Sequence, residues 1–153
     1  MELRLQVNGR ERRVEASPTA RLSTVLREGL GLTGVKEGCC EGECGACTIL
    51  IDGEPVVSCL MLAMQAEGRA ITTIEGIEAP GLQDAFLAAG AVQCGYCTPG
   101  MIVAAEGLLR STPAPSRNEI RHALAGNLCR CTGFETIVDA VALEAERRQG
   151  EQA

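Results

Sequence analysis

The chain has 153 residues, and its 20 Asp and Glu against 14 Lys and Arg leave a net charge of -6 and a pI near 4.9, which excludes a nucleic-acid groove built on a basic surface. No stretch approaches the roughly 18 apolar residues of a membrane span, and the opening MELRLQVNGR has neither the basic nor the apolar region of an export signal, so the cytoplasm is the expected compartment. Nine cysteines in such a chain read as metal ligands or redox groups rather than disulfides, and a core with no Trp, one Tyr and two Phe would gain from an inorganic staple.

Leu3, Leu5 and Val7 alternate up to Asn8-Gly9, and the pattern resumes through Val14, which predicts a hairpin on a type I′ turn. After Ser17-Pro18, Leu22, Val25, Leu26 and Leu30 recur at helical spacing until Gly29 and Gly31. Residues 34–45 are rich in Gly and Cys and read as a loop; 48–51 read as a strand, Asp52-Gly53 as a second hairpin turn, Val56 and Val57 as a strand leading to Cys59, and 70–74 as a last strand. The period then changes. Leu82, Ala85, Phe86 and Ala89 fit one helix; Met101, Ile102, Ala105, Leu108 and Leu109 fit another opened by Thr98-Pro99. Ser116 and Glu119 form a capping box for a third helix stopping at Gly126, and a fourth from about Glu135 carries Ile137, Val138, Val141 and Leu143 on one face. The polar tail, 144–153, is expected to fray or meet a partner. The fold class is therefore α+β: a β-grasp-like half over 1–76 and an all-α half over 77–153.

Cys39, Cys44, Cys47 and Cys59 stand as C-x4-C-x2-C and a distant C, the ligand pattern of plant-type [2Fe-2S] ferredoxins. Three thiolates from one loop can wrap two bridged irons while the fourth ties the loop to the sheet, and Gly38, Gly42 and Gly45 let backbone N–H groups approach the sulfurs. Cys40 would give x3 spacing in place of x4, so Cys39 is taken as the ligand and Cys40 as a small side chain beside it. Cys94, Cys97, Cys129 and Cys131 form C-x2-C and C-x-C pairs at predicted helix ends. Cys44, Cys47, Cys94 and Cys97 could alternatively hold one structural zinc, but that strands five cysteines and gives no reason for C-x-C.

The stretches 38–48 (GCCEGECGACT), 93–100 (QCGYCTPG) and 126–133 (GNLCRCTG) resemble, in order, the three signatures of the iron-sulfur subunit of the xanthine oxidase, or molybdenum hydroxylase, family. Cys40 and Phe134 depart from residues the family often has there, and neither removes a ligand. The resemblance implies a ferredoxin-like β-grasp domain before a four-helix domain, each with one cluster. It also implies a large molybdopterin subunit, a medium FAD subunit and a dimer of heterotrimers. Electrons would pass from molybdenum through the C-terminal and then the N-terminal cluster to FAD or another acceptor. Gln93 and Cys131 match positions that in this family lie beside the pterin; the plainer reading of Gln93 is an amide capping backbone groups.

Elsewhere the readings are modest. Arg130 between two ligands could stabilise a reduced cluster or be a solvated cation, and Tyr96 could shield a cluster or simply pack. His122 alone cannot make a Rieske-type centre, which needs two histidines. Met61, Met64 and Met101 read as core or interface filler, and Glu41 and Glu43 as a solvated face. G-x-G-x-x-G is absent, so no dinucleotide is expected on this chain. A freestanding two-cluster ferredoxin and a zinc-stapled interaction module are the rival readings.

Overall fold

The first hairpin forms where alternation and turn chemistry agree. Strands β1 (Glu2–Val7) and β2 (Arg10–Glu15) pair antiparallel with Val7 opposite Arg10, and Asn8 and Gly9 take φ of 51° and 75°, the left-handed pair that a type I′ turn requires. The structure is a computed structural model and describes residues 1–152. Leu3, Leu5 and Val7 are buried together on one face, while the exposed arginines of β2 guard the sheet edge.

The helix expected around Leu22 is a single turn, α1 (Leu22–Thr24), that widens into a π-turn over Val25–Gly29, closed by the Leu30 N–H donating to the Val25 carbonyl at 3.1 Å. Leu22, Val25 and Leu26 stay buried, and Gly29 lies so close to β2 that a Cβ there would stand 2.6 Å from Val14 Cγ2. The second hairpin, β3 (Thr48–Ile51) and β4 (Glu54–Val57), turns on Asp52 and Gly53 at φ 53° and 89°. Strand β5 (Ala70–Thr72) runs parallel to β1 and antiparallel to β3, giving a mixed sheet of order β2-β1-β5-β3-β4. The last strand stops two residues sooner than expected. Side chains take over the ladder there: the Thr73 N–H donates to Asn8 Oδ1 at 2.9 Å and its hydroxyl to Glu75 Oε2 at 2.6 Å, and Ile74–Gly76 closes as a 3-10 turn.

Strand β3 is buried on both faces. Ile49 and Ile51 enter the core beneath α1 with Leu3, Leu5 and Leu26, whereas Leu50 faces the other way, into the core of the helical half. That half comprises α2 (Pro80–Ala88), α3 (Thr98–Ser111), α4 (Arg117–Ala123) and α5 (Glu135–Gln152). Helix α4 opens on the expected capping box, with the Glu119 N–H donating to Ser116 Oγ and the Ser116 N–H to Glu119 Oε2. Helix α3 lies across β3 and β4 on a glycine face: a Cβ at Gly107 would stand 2.7 Å from Pro55 Cγ and 3.1 Å from Leu50 Cδ2.

Two expectations for the last helix need correction. Ile137, Val138 and Val141 are fully buried, but Leu143 is 47% exposed, because the inward stripe continues through Ala145 instead. The expected frayed tail is helical to Gln152 and pinned by charge, with Ala153 outside the described residues. Glu144, 1% exposed, accepts from Arg147 and from Arg148, and Arg148 also reaches across to Glu106 on α3, itself held by Arg110. Burial alone would raise the Glu144 carboxyl, but the hydrogen bonds from Arg147 and Arg148 outweigh it and hold the group below its ordinary 4.5. A carboxyl lowered by folding contributes stability that is present above 4.5 and is lost as pH falls through its folded value. Glu144→Ala is expected to cost about 2 kcal/mol in urea denaturation at neutral pH, between a surface pair and a sealed one because both arginines can turn to solvent. That difference should shrink steadily in titrations carried below pH 4.5. Among the described residues no helix is long and apolar enough to cross a membrane.

Candidate iron-sulfur sites

The loop between α1 and β3 curls around its own cysteines. Cys39 Sγ accepts the N–H groups of Glu41 and Cys44, each at 3.3 Å, and Cys44 Sγ accepts the N–H of Cys39 at 3.4 Å. Those amides, Glu41 first and then Cys44, lower the Cys39 thiol from its ordinary 9.0 to about 7. Cys47, entering β3, and Cys59, in the 3-10 turn Ser58–Leu60, are both buried and face one another. Ser58 ties them, its hydroxyl donating to the Cys47 carbonyl at 2.7 Å. Burial first, and then the neighbouring Cys47, push Cys59 up to about 11. Cys40 takes a left-handed φ of 56° and joins neither pair.

The helical half repeats this arrangement with different elements. Cys97, at the N-terminus of α3, lies against Cys129, and Cys94 lies against Cys131. Burial, followed by Cys129, pushes Cys97 up to about 12. Cys129 moves the other way: burial would raise it, but the hydroxyl and N–H of Thr132 outweigh that and lower it. The Thr132 hydroxyl is 3.1 Å from Cys129 Sγ, and the Tyr96 N–H is 3.5 Å from Cys94 Sγ. Cys94 and Cys131 are exposed, so this site opens to the surface, whereas in the first site Cys47 and Cys59 are buried and Cys39 and Cys44 partly so. The Gln93 side chain donates to the Cys131 carbonyl at 3.1 Å, the capping contact of the plainer reading, and remains exposed.

In both places the thiols come two by two. Pairing suits a [2Fe-2S] group, in which each of two bridged irons takes two protein thiolates, and the converging amides suit its negative charge. The N-terminus of a 14-residue helix at Cys97 adds partial positive charge to the second site. Beside it the Thr98 hydroxyl is buried with no hydrogen-bond partner among the described residues, as expected of a donor facing a group that the protein atoms do not include. The single-zinc alternative required Cys44, Cys47, Cys94 and Cys97 together; Cys44 instead sits with Cys39, and Cys97 with Cys129. Among the described residues no three His, Cys, Asp or Glu side chains converge as ligands of one ion.

Other sequence candidates fall where their chemistry allows. Arg130 and His122 are exposed, Met101 is buried, and Met64 is 45% exposed. Tyr96 does more than pack: its hydroxyl donates to the Glu37 carbonyl at 2.7 Å, joining one cysteine loop to the other. Sequence reasoning missed Asn127, a buried amide whose Nδ2 donates to the Gly45 carbonyl and the Thr48 hydroxyl. The visible signal was a polar residue two places before Cys129 in an otherwise metal-binding stretch.

Comparison with known proteins agrees with this geometry. Residues 5–73 match the family described as 2Fe-2S iron-sulfur cluster binding domain, and residues 73–142 match the [2Fe-2S] binding domain family. The chain is 53% identical over 149 residues to the nicotinate dehydrogenase small FeS subunit of Eubacterium barkeri, covering 95% of each. It is 51% identical over 149 residues to the xanthine dehydrogenase iron-sulfur-binding subunit of Escherichia coli O157:H7, covering 92% of this chain and 91% of that one. Among solved structures, quinoline 2-oxidoreductase from Pseudomonas putida 86 superposes with a TM-score of 0.92 at 50% identity, covering 99% of this chain and 98% of that one. The aldehyde oxidoreductase of Desulfovibrio desulfuricans superposes at 0.93 with 46% identity, this chain corresponding to 17% of that longer one. The paired thiols, the two matching cluster-binding families and the extent of these identities lead to one conclusion: the chain belongs to the family of small iron-sulfur subunits of the xanthine oxidase, or molybdenum hydroxylase, type and is a subunit of an oxidoreductase.

Proposed function

We propose that this chain is the electron-relay subunit of a cytoplasmic molybdenum hydroxylase, with Cys39, Cys44, Cys47 and Cys59 holding one [2Fe-2S] cluster in a ferredoxin-like unit over 1–76, and Cys94, Cys97, Cys129 and Cys131 holding a second in a helical unit over 77–153. The observation that carries this reading is the pairing of eight thiols into two sets, each ringed by N–H donors. When bound, each cluster would take up and release one electron, so the two together would link a molybdopterin centre on a large partner subunit to FAD on a medium subunit, or to another acceptor. The residues of this chain set the direction in which the link faces. Cys131 and Gln93 are exposed and joined by a hydrogen bond, which suits contact with the pterin-bearing subunit, where Gln93 holds the Cys131 peptide and leaves its amide oxygen for a polar edge. Cys47 and Cys59 are buried in the core of the sheet half. Substrate chemistry belongs to the large subunit.

Isolation from the native host separates this reading from a freestanding ferredoxin. The expected result is an assembly in which a molybdopterin-binding protein and a flavoprotein accompany the chain, in the mass of a dimer of heterotrimers. Recovery of the chain alone, at the mass of one copy and without molybdenum, would contradict it.

A further inference from the structure

Asn127 is 6% exposed and stands two residues before Cys129. Its Nδ2 donates to the Gly45 carbonyl at 3.0 Å and to Thr48 Oγ1 at 3.1 Å, spanning 82 and 79 residues of chain. The Thr48 hydroxyl donates in turn to the same Gly45 carbonyl at 2.6 Å. One uncharged group with two N–H donors therefore serves two buried acceptors; a carboxylate there would face a carbonyl, and an apolar side chain would take the donor from the Thr48 oxygen and leave the Gly45 carbonyl to Thr48 alone, whose hydroxyl and N–H both reach it. The next peptide adds a backbone tie, the Leu128 N–H donating to the Cys44 carbonyl at 2.9 Å.

The surroundings leave no slack. A Cβ at Gly45 would stand 2.7 Å from Asn127 Nδ2 and 2.8 Å from Asn127 Cα, and a Cβ at Gly100, in the first turn of α3, would stand 2.5 Å from the Gly45 carbonyl oxygen. The Cys44–Ala46 backbone is thus gripped by the segment leading to Cys129, at the Cys44 and Gly45 carbonyls, and from another side by the helix that begins at Cys97, at the Gly45 carbonyl. Three of the four cysteines in the second set are reached from elements that touch this short stretch of backbone: Cys97 through α3, and Cys129 and Cys131 through the segment that follows Asn127.

We propose that Asn127 is a positioning residue for electron transfer: its side-chain amide fixes the spacing and orientation of the two cysteine loops and thereby sets the rate at which an electron crosses between them. The inference rests on the reading of both cysteine sets as cluster ligands. Transfer over a gap of this kind slows steeply with distance, so a tie at the gap controls rate even when both ends are intact. Asn127 touches no thiol and acts only through the loops that carry them.

Asn127→Leu keeps the branched heavy-atom skeleton of the side chain, at a larger volume, and removes both donors. In the assembled holoprotein reduced with dithionite, the variant should keep its iron and both EPR signals. The magnetic splitting between the two reduced centres should narrow or spread, and inter-centre transfer, followed by rapid freeze-quench EPR, should slow severalfold. A purely structural role would lower the melting temperature and leave splitting and rate at their wild-type values, and that result would overturn the proposal. If Asn127→Leu loses iron, Thr48→Val, which removes one of the two acceptors at constant shape, decides through the same two readouts: a smaller change in both supports the proposal, and no change overturns it. Absence of two iron signals from the unsubstituted assembly is a separate outcome and would overturn the relay reading itself.

Discussion

Gly45→Ala is expected to abolish accumulation of folded, coloured protein. Gly45 has a φ of +69°, where an L side chain costs about 1 kcal/mol before any neighbour is considered. The added methyl would also collide with the Gly126 carbonyl and with the backbone and amide of Asn127, and none of these is the loose end of a flexible side chain. Relief would require the 126–128 segment to move, which would break both Asn127 hydrogen bonds and the Leu128 tie and drag Cys129 from Cys97. The combined cost should exceed roughly 4 kcal/mol, close to the lower end of the ~5–15 kcal/mol by which a domain is ordinarily stable. Gly53→Ala is the matched control: its φ of +89° is equally left-handed, but a Cβ there meets nothing within 4 Å. It should cost only about 1 kcal/mol and leave the visible spectrum unchanged. Soluble yield, visible absorbance and urea midpoints of the two variants, measured side by side, check the difference. Equal behaviour would remove the docking of the two loops as the critical contact.

Cys97→Ser should remove one centre and leave the other. Cys97 packs against the helical core, starts α3 and sits beside Cys129, so its loss breaks a ligand pair at the junction of two elements. Serine oxygen is a harder and more basic ligand than thiolate and binds iron-sulfur groups poorly. Iron should therefore fall from about four to about two per chain, with one EPR signal gone and the other unshifted. The melting transition should lose cooperativity as the helical half loosens, because binding energy at such a site is also folding energy. Cys40→Ser supplies the contrast, since Cys40 belongs to neither pair: iron content and both signals should persist. Loss of a signal in Cys40→Ser, or retention of both in Cys97→Ser, would reassign the ligands.

Much of this was legible because local rules and tertiary packing agree. Asn8-Gly9 and Asp52-Gly53 place two hairpins by turn chemistry alone, and Ser116 with Glu119 starts α4 as its capping box requires. The cysteine spacings alone separate two sets. What failed depended on contacts distant in sequence. The widening of α1 reflects close packing of Gly29 on Val14, and β5 ends early because Asn8, 65 residues away, supplies an acceptor to Thr73. The polar end of α5 looked like a tail because Glu144, Arg147 and Arg148 carry charge; only the neighbouring Glu106 on α3 shows that two buried carboxylates are paired there with arginines that reach the surface. Asn127 was hidden for the same reason, its partners lying 79 and 82 residues upstream.

The proposed relay depends most on two paired-thiol sites, each able to hold bridged iron. Metal analysis and EPR on a single anaerobically isolated, dithionite-reduced sample test this directly: about four irons per chain with two distinguishable signals is the expected result. Zinc in place of iron, or iron with only one signal, would contradict it.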